Sequence, residues 1–288
     1  MSNYTIFTDS ACDISPAILD KWGVKYCSLT FVFDDSEEEY LNFDMPSVEF
    51  YKKMRDGRIA KTSAVSVGAV RKCFESELSI GNDILYIGFS SGLSTTFHSA
   101  QIAAEDLLEK YPDRKIVTID SLCASAGQGL LVYLAVLRRD KGLNLAETAE
   151  YIEGIRLNIC HWFTVDDLVY LKRGGRISSV AASIGGMLGI KPVLHTDNEG
   201  HLINVSKTRG RKSSIKALSD KYGELSLDRQ NGTVFISHGD CMDDAESLRE
   251  LLLHDYGASV EIITDVGPVI GAHSGPGTLA LFFVGKER

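Results

Sequence analysis

The spacing of apolar residues changes along the chain, and each change marks an element. Residues 4–8, 83–87 and 115–119 are compact apolar runs and predict strands. Residues 24–33, rich in aromatic and β-branched side chains, predict one longer strand. Between these runs apolar positions recur every three or four residues, so 48–55, 66–78, 94–110 and 125–139 predict helices. Ser15-Pro16 opens a short helix, with serine as its cap and proline at the first helical position. Asn144 caps another, with Glu147 as capping-box partner, and Leu145, Ala149, Ile152, Ile155 and Ile159 keep one face. The acidic stretch 34–39 reads as a solvated loop.

Strand–helix alternation with apolar strands predicts a parallel sheet covered on both faces. The second half has a different rhythm. Residues 191–194 and 201–205 flank Thr196-Asp197-Asn198-Glu199-Gly200, which predicts a hairpin with Gly200 in the left-handed position. Helices at 213–222 and 244–253 then alternate with strands at 233–237, 260–264 and 279–284. The expected architecture is α/β with two domains. Residues 1–162 form an N-terminal parallel α/β/α unit, and residues 163–288 form a C-terminal α/β unit with a mixed or antiparallel sheet. Ligands of parallel sheets bind beyond the carboxyl ends of the strands. Asp9-Ser10, residues 88–92 and Asp120-Ser121 occupy those ends and are expected to face one crevice.

Composition narrows the function. The chain has 288 residues, 44% hydrophobic and 24% charged, with a formal net charge of −9. An acidic surface disfavours nucleic acid or an anionic membrane as main partner. The six cysteines lack metal-ligand or C-x-x-C spacing, and the seven histidines form no H-E-x-x-H pattern. The start of the chain leads straight into a strand without a charged and apolar leader, so a cytoplasmic protein is expected. No metal or cofactor is expected.

Gly88-Phe89-Ser90-Ser91-Gly92 is the candidate centre. A serine pair between a strand and a helix offers hydroxyls and free backbone N–H groups to an anion. The same segment spells the G-x-S-x-G elbow of serine hydrolases, with Ser90 as nucleophile, Asp120 or Asp265 as acid and His273 as base. Against that reading, two strands rather than four precede it, and no glycine run supplies an oxyanion hole. Lys61-Thr62-Ser63 is read as the polar start of a helix and adds hydroxyls without a strong base. Arg173-Gly174-Gly175-Arg176 offers two cations for a phosphate or acidic group. Gly271-Ala272-His273-Ser274-Gly275-Pro276-Gly277 places a histidine in what reads as a tight loop. Small residues at 180–190 predict a thin helix surface, suited either to close helix packing or to a groove for a slender apolar chain. A carrier, a hydrolase and an adaptor for a small phosphorylated metabolite all remain open at this point.

These segments together resemble the DegV family of bacterial fatty-acid-binding proteins. Residues Phe7 to Asp13 resemble its opening D-S-x-x-D, Lys61-Thr62-Ser63 its K-T-S-Q-P-S, and Ser90-Ser91-Gly92-Leu93-Ser94 its S-S-x-L-S-G-T-Y. Arg173-Gly174-Gly175-Arg176-Ile177-Ser178 and His273-Ser274-Gly275-Pro276-Gly277-Thr278 resemble R-G-G-R-I-S and H-x-G-P-G-T. Ala64-Val65 and Thr95-Thr96-Phe97 depart from the pattern. The resemblance implies a two-domain fold holding a long-chain fatty acid, of the palmitate, stearate or oleate class, between the domains. It implies ligand contacts from Thr62, Ser91, Ser90, Ser63 and His273, with Arg176 and Arg173 at the head-group rim or a docking surface. It further implies no catalysis by this chain and a fatty acid kinase as partner, whose acyl phosphate product feeds phospholipid synthesis.

Overall fold

The computed structural model describes residues 4–177 and 189–288. The thin helix expected at 180–190 therefore falls almost wholly outside the described residues.

Four parallel strands form the first sheet. β1 (Tyr4–Asp9) lies between β2 (Val24–Cys27) and β6 (Asp83–Gly88), and β7 (Ile116–Asp120) closes the edge. The period-two alternation of strands sorts side chains to opposite faces. Ile6, Leu85 and Ile87 pack on helices Ala126–Asp140 and Leu145–Ile155. Phe7, Ile84 and Tyr86 pack on helices Val67–Leu78 and Thr96–Lys110. Burial on both sides explains why β6 is apolar after its first residue, Asp83.

The single strand expected at 24–33 is two strands in two sheets. Leu29 N–H donates to Ser10 Oγ at 3.0 Å, and Leu29 C=O accepts from Asn42 N–H at 3.1 Å. Both bonds pull the chain out of register after Cys27. β3 (Thr30–Phe33) then pairs antiparallel with β4 (Glu39–Leu41) and β5 (Ala60–Ser63) in a separate three-stranded sheet. Glu39 thus belongs to a strand rather than a loop. Lys61-Thr62-Ser63 is likewise a strand, not a helix start, and Ser66 is the cap, accepting from Ala69 N–H at 3.2 Å.

β8 (Ile159–Thr164), β9 (Ile190–Thr196), β10 (Leu202–Arg209), β11 (Val234–His238), β12 (Val260–Asp265) and β13 (Leu279–Val284) build a mixed sheet in the order β10-β9-β8-β13-β11-β12. Only its β11–β12 pair is parallel. The expected division after residue 162 runs through β8, which lies wholly in this sheet. Ile159 therefore begins a strand instead of extending the preceding helical stripe. Helices Arg211–Leu225 and Met242–Tyr256 cover one face. Helix Ala126–Asp140 packs against the other, so one helix serves both large sheets. Helix Pro268–Ser274, with Pro268 in its first turn, takes in Gly271 to Ser274 of the expected loop around His273, and only Gly275-Pro276-Gly277 turns outside it. It is wedged between the three-stranded sheet and the ends of the parallel strands.

Candidate functional site

A cavity of about 480 Å³ opens where these parts meet. That size suits a small organic ligand. Its walls are largely apolar. Leu29 and Phe89 come from the ends of the parallel-sheet unit, Val269 and Ile270 from helix Pro268–Ser274, and Phe163 and Phe282 from the mixed sheet. Cross-strand register places Phe163, Ala280 and Ser237 in one row on the face toward the cavity.

One end of the cavity is polar. Thr62, Ser63, Ser91, Arg176 and His273 all line it. Strand β5 carries Thr62 to His273, whose Nε2 lies 2.9 Å from Thr62 Oγ1. The imidazole Nδ1 is buried without a partner among the described residues. It packs on Gly174, where a Cβ would sit 2.1 Å from it, so the arginine segment needs glycine at this position. Burial, and then the charge of Arg176, push the His273 pKa down to about 4, so the ring is neutral at pH 7. A proton on Nδ1 would be an orphaned buried donor, the costlier omission. We therefore place it on Nε2, donating to Thr62 Oγ1. The Thr62 hydroxyl hydrogen is then free for a ligand.

Arg176 supplies the charge. Its Nε and Nη2 donate to Leu93 C=O at 3.2 and 3.1 Å, and Nη1 donates to Gly174 C=O. No carboxylate pairs with it among the described residues, and it is half buried. A cation without a counter-ion beside an apolar cavity can receive an anion. Arg173, three residues earlier, is exposed, 5.6 Å from the Tyr170 ring centre, and lines no part of the cavity.

The adjacent serines divide sharply. Ser91 lines the cavity, and its hydroxyl bonds to no described residue. Ser90 is fully buried and outside the cavity wall. Its hydroxyl donates to Gly200 C=O at 2.9 Å and accepts from Gly92 N–H at 3.2 Å. Gly200 sits at φ +80°, and a Cβ there would lie 2.1 Å from Ser90 Oγ. Ser90 is thus a tie to the β9–β10 hairpin rather than a ligand contact.

The expected backbone cradle is also spent. The amides of Ser90, Leu93 and Ser94 donate to carbonyls, that of Ser91 to Asp120 Oδ1 and that of Gly92 to Ser90 Oγ. The helix itself starts only at Thr96. Hydroxyls and Arg176 face the cavity at this end, together with Ser94 and Thr95 at the start of that helix. The hydrolase relay is not assembled either. Ser90 meets a carbonyl, Asp120 meets amides, His273 meets Thr62, and exposed Asp265 lies 3.5 Å from His238.

Asp9 does not face the crevice. It is buried beneath it, accepting from Tyr86 Oη and Phe89 N–H at 2.8 Å and from Ala11 N–H at 3.1 Å. Sequence reasoning missed Ser125 and Ser237, which line the cavity, and Asp13 behind them. Asp13 belongs to the D-S-x-x-D segment, a usable signal. Ser237, at the end of a buried strand, carried none. Among the described residues no group of three or more His, Cys, Asp or Glu could hold a metal, and no helix is long and apolar enough to cross a membrane.

The family model described as an uncharacterised protein of the DegV family matches residues 3–286. The chain belongs to the DegV family. A DegV domain-containing protein of Clostridium perfringens is 41% identical over 289 residues, which span 100% of this chain and 99% of that protein. Among solved DegV-type folds, a stearic acid-binding protein from Eubacterium ventriosum superposes with TM-score 0.89 at 28% identity, covering 98% of each chain. A Thermus thermophilus DegV family protein, described by its fatty acid binding, gives TM-score 0.88 at 27% identity over 98% of this chain and 99% of that one. The DegV fold thus includes both the parallel and the mixed sheet seen here.

Proposed function

We infer that this protein binds one long-chain fatty acid and presents it to a fatty acid kinase without altering it. The carrying observation is an apolar cavity with unpaired hydroxyls and a counter-ion-free arginine at one end. The carboxylate would meet Thr62, Ser91 and Arg176, with Ser63 at the rim and His273 holding Thr62. The tail would run between the parallel-sheet unit and the mixed-sheet unit, divided beside β8. Each buried methylene contributes about 0.8 kcal/mol, so the tail drives binding while the polar end offsets carboxylate desolvation. The stearic acid named for the Eubacterium protein and the fatty acid binding named for the Thermus protein support the ligand class. The kinase partner rests on the family resemblance, with exposed Arg173 beside the mouth as a docking contact. The acyl phosphate would leave for phospholipid synthesis in the cytoplasm.

Native mass spectrometry of the purified protein tests the ligand. The expected spectrum shows one added mass of a C16–C18 acid, restored by palmitate or oleate after delipidation. A bare chain that takes up neither acid contradicts the reading. Incubation with a bacterial fatty acid kinase and ATP tests presentation, which requires acyl phosphate formation dependent on this protein. Inorganic phosphate that binds at the mouth in place of palmitate would instead support the metabolite adaptor.

A further inference from the structure

Helix Pro268–Ser274 spans two polar clusters. Its end holds His273 against Thr62, while the Gly267 amide at its start donates to Asp13 Oδ1 at 3.0 Å. Seven residues at 1.5 Å each put these ends roughly 10 Å apart. Val269 and Ile270 line the cavity between them. At the Gly267 end, Asp13 Oδ2 lies 2.5 Å from Ser125 Oγ, which lies 3.0 Å from Ser237 Oγ. Exposure is 2% for Asp13, 5% for Ser125 and 0% for Ser237. Ser125 and Ser237 both line the cavity. Ser125 adopts φ +52°, a conformation unfavourable for a non-glycine residue. Ser237 stands beside Ala280 and Phe163 in the row of the mixed sheet that faces the cavity.

Proton accounting leaves one valence over. With Asp13 protonated, Oδ2–H donates to Ser125, Ser125 donates to Ser237, and the Ser237 hydrogen has no acceptor among the described residues. With Asp13 ionised, the direction reverses and the Ser237 lone pairs are left unused. Burial pushes the Asp13 carboxyl up to about 8, which favours the first arrangement at neutral pH. A hydroxyl complements both arrangements, a carbonyl only the first, and a saturated chain neither. The Ser237 hydroxyl keeps its bond to Ser125 and has one further hydrogen-bonding position to offer.

We propose that Asp13, Ser125 and Ser237 form a second polar subsite, which takes the hydroxyl of a long-chain fatty acid hydroxylated near the middle of its chain. This rests on the fatty-acid reading of the same cavity and assigns it a substrate class. Ser237 contacts the ligand oxygen, Ser125 orients Ser237, and Asp13 sets the direction of the chain.

Calorimetry on delipidated wild type and Ser237→Ala, with stearate, 10-hydroxystearate, 12-hydroxystearate and 2-hydroxystearate, tests it. Wild type should prefer one mid-chain hydroxy acid over stearate by about tenfold, one hydrogen bond's worth, and 2-hydroxystearate should show no such gain. In Ser237→Ala that ratio should fall to about one. Stearate binding as tightly as every mid-chain hydroxy acid, or a preference that survives Ser237→Ala, overturns the subsite alone. Failure of all four acids to bind overturns the fatty-acid reading and the subsite together.

Discussion

The two ends of helix Pro268–Ser274 are both lined with hydroxyls, half-buried at one end and buried at the other, yet they are wired in opposite ways. At the His273 end, donors outnumber acceptors. The Ser91 hydroxyl is unpaired, the Thr62 hydrogen is free once His273 donates to it, and Arg176 has no carboxylate among the described residues. At the Gly267 end, Asp13 receives Gly267 N–H, touches Ser125, and through its carbonyl accepts from Thr264 Oγ1 at 2.8 Å. The first cluster is incomplete without an anion. The second is a cross-link between the two sheet units that is complete except for one hydroxyl. Polar residues in a cavity wall therefore say little until their bonds are counted, and the count separates binding from bracing.

The sharpest way to break this contrast is Arg176→Ala. Removing one member of a buried charge pair should weaken fatty acid binding by about 2–5 kcal/mol, measured by calorimetry. Unchanged affinity would move the carboxylate away from this end. Asp13→Ala should act on the fold instead, costing about 2–3 kcal/mol of unfolding free energy in a urea titration as it leaves buried donors unpaired. A loss near zero would mean the second cluster braces nothing.

Asp13 also gives a pH test. Its folded pKa, about 8, lies above the ordinary aspartate value, so the folded state holds the proton longer than the unfolded chain. Its contribution is complete below about pH 4 and is lost as pH rises toward 8. Asp13→Asn should flatten that slope. An identical pH dependence in the variant would show that Asp13 ionises normally.

Thr62→Val and Ser91→Ala should each reduce fatty acid affinity by about 1.5 kcal/mol without changing stability comparably. Equal effects on stability and binding would make that end a brace as well. The smallest expected effect is Ser90→Ala. It should cost about 1 kcal/mol of stability through the lost Gly200 bond and leave the ligand in place. A fluorophosphonate probe should label neither wild type nor variant, and covalent labelling at Ser90 would revive the hydrolase.

Local rules carried the fold where chain neighbours decide it. Ser15 caps its helix, Asn144 and Glu147 close a capping box, and Gly200 sits left-handed in the hairpin. The rules failed where distant partners decide. The break after Cys27 depends on Ser10 and Asn42, which no window over 24–33 contains. Helix Pro268–Ser274 was hidden by Gly271 and the glycines that flank it, because its stability comes from packing rather than propensity. Thr62 and Ser91 were legible as hydroxyls in a family pattern. Separating Ser91 from Ser90 required the turn, since both are the same residue one position apart. The chain from Asp13 to Ser125 to Ser237 joins residues 112 apart at each step, beyond any local signal.

The most direct test of the account is a crystal structure of the delipidated protein soaked with stearate. The expected difference density is one elongated ligand in the cavity, carboxylate oxygens within hydrogen-bond distance of Thr62 Oγ1, Ser91 Oγ and the Arg176 guanidinium, tail passing Val269 and Ile270. Density with the carboxylate at Ser237, or an empty cavity in protein that binds stearate in solution, would contradict it.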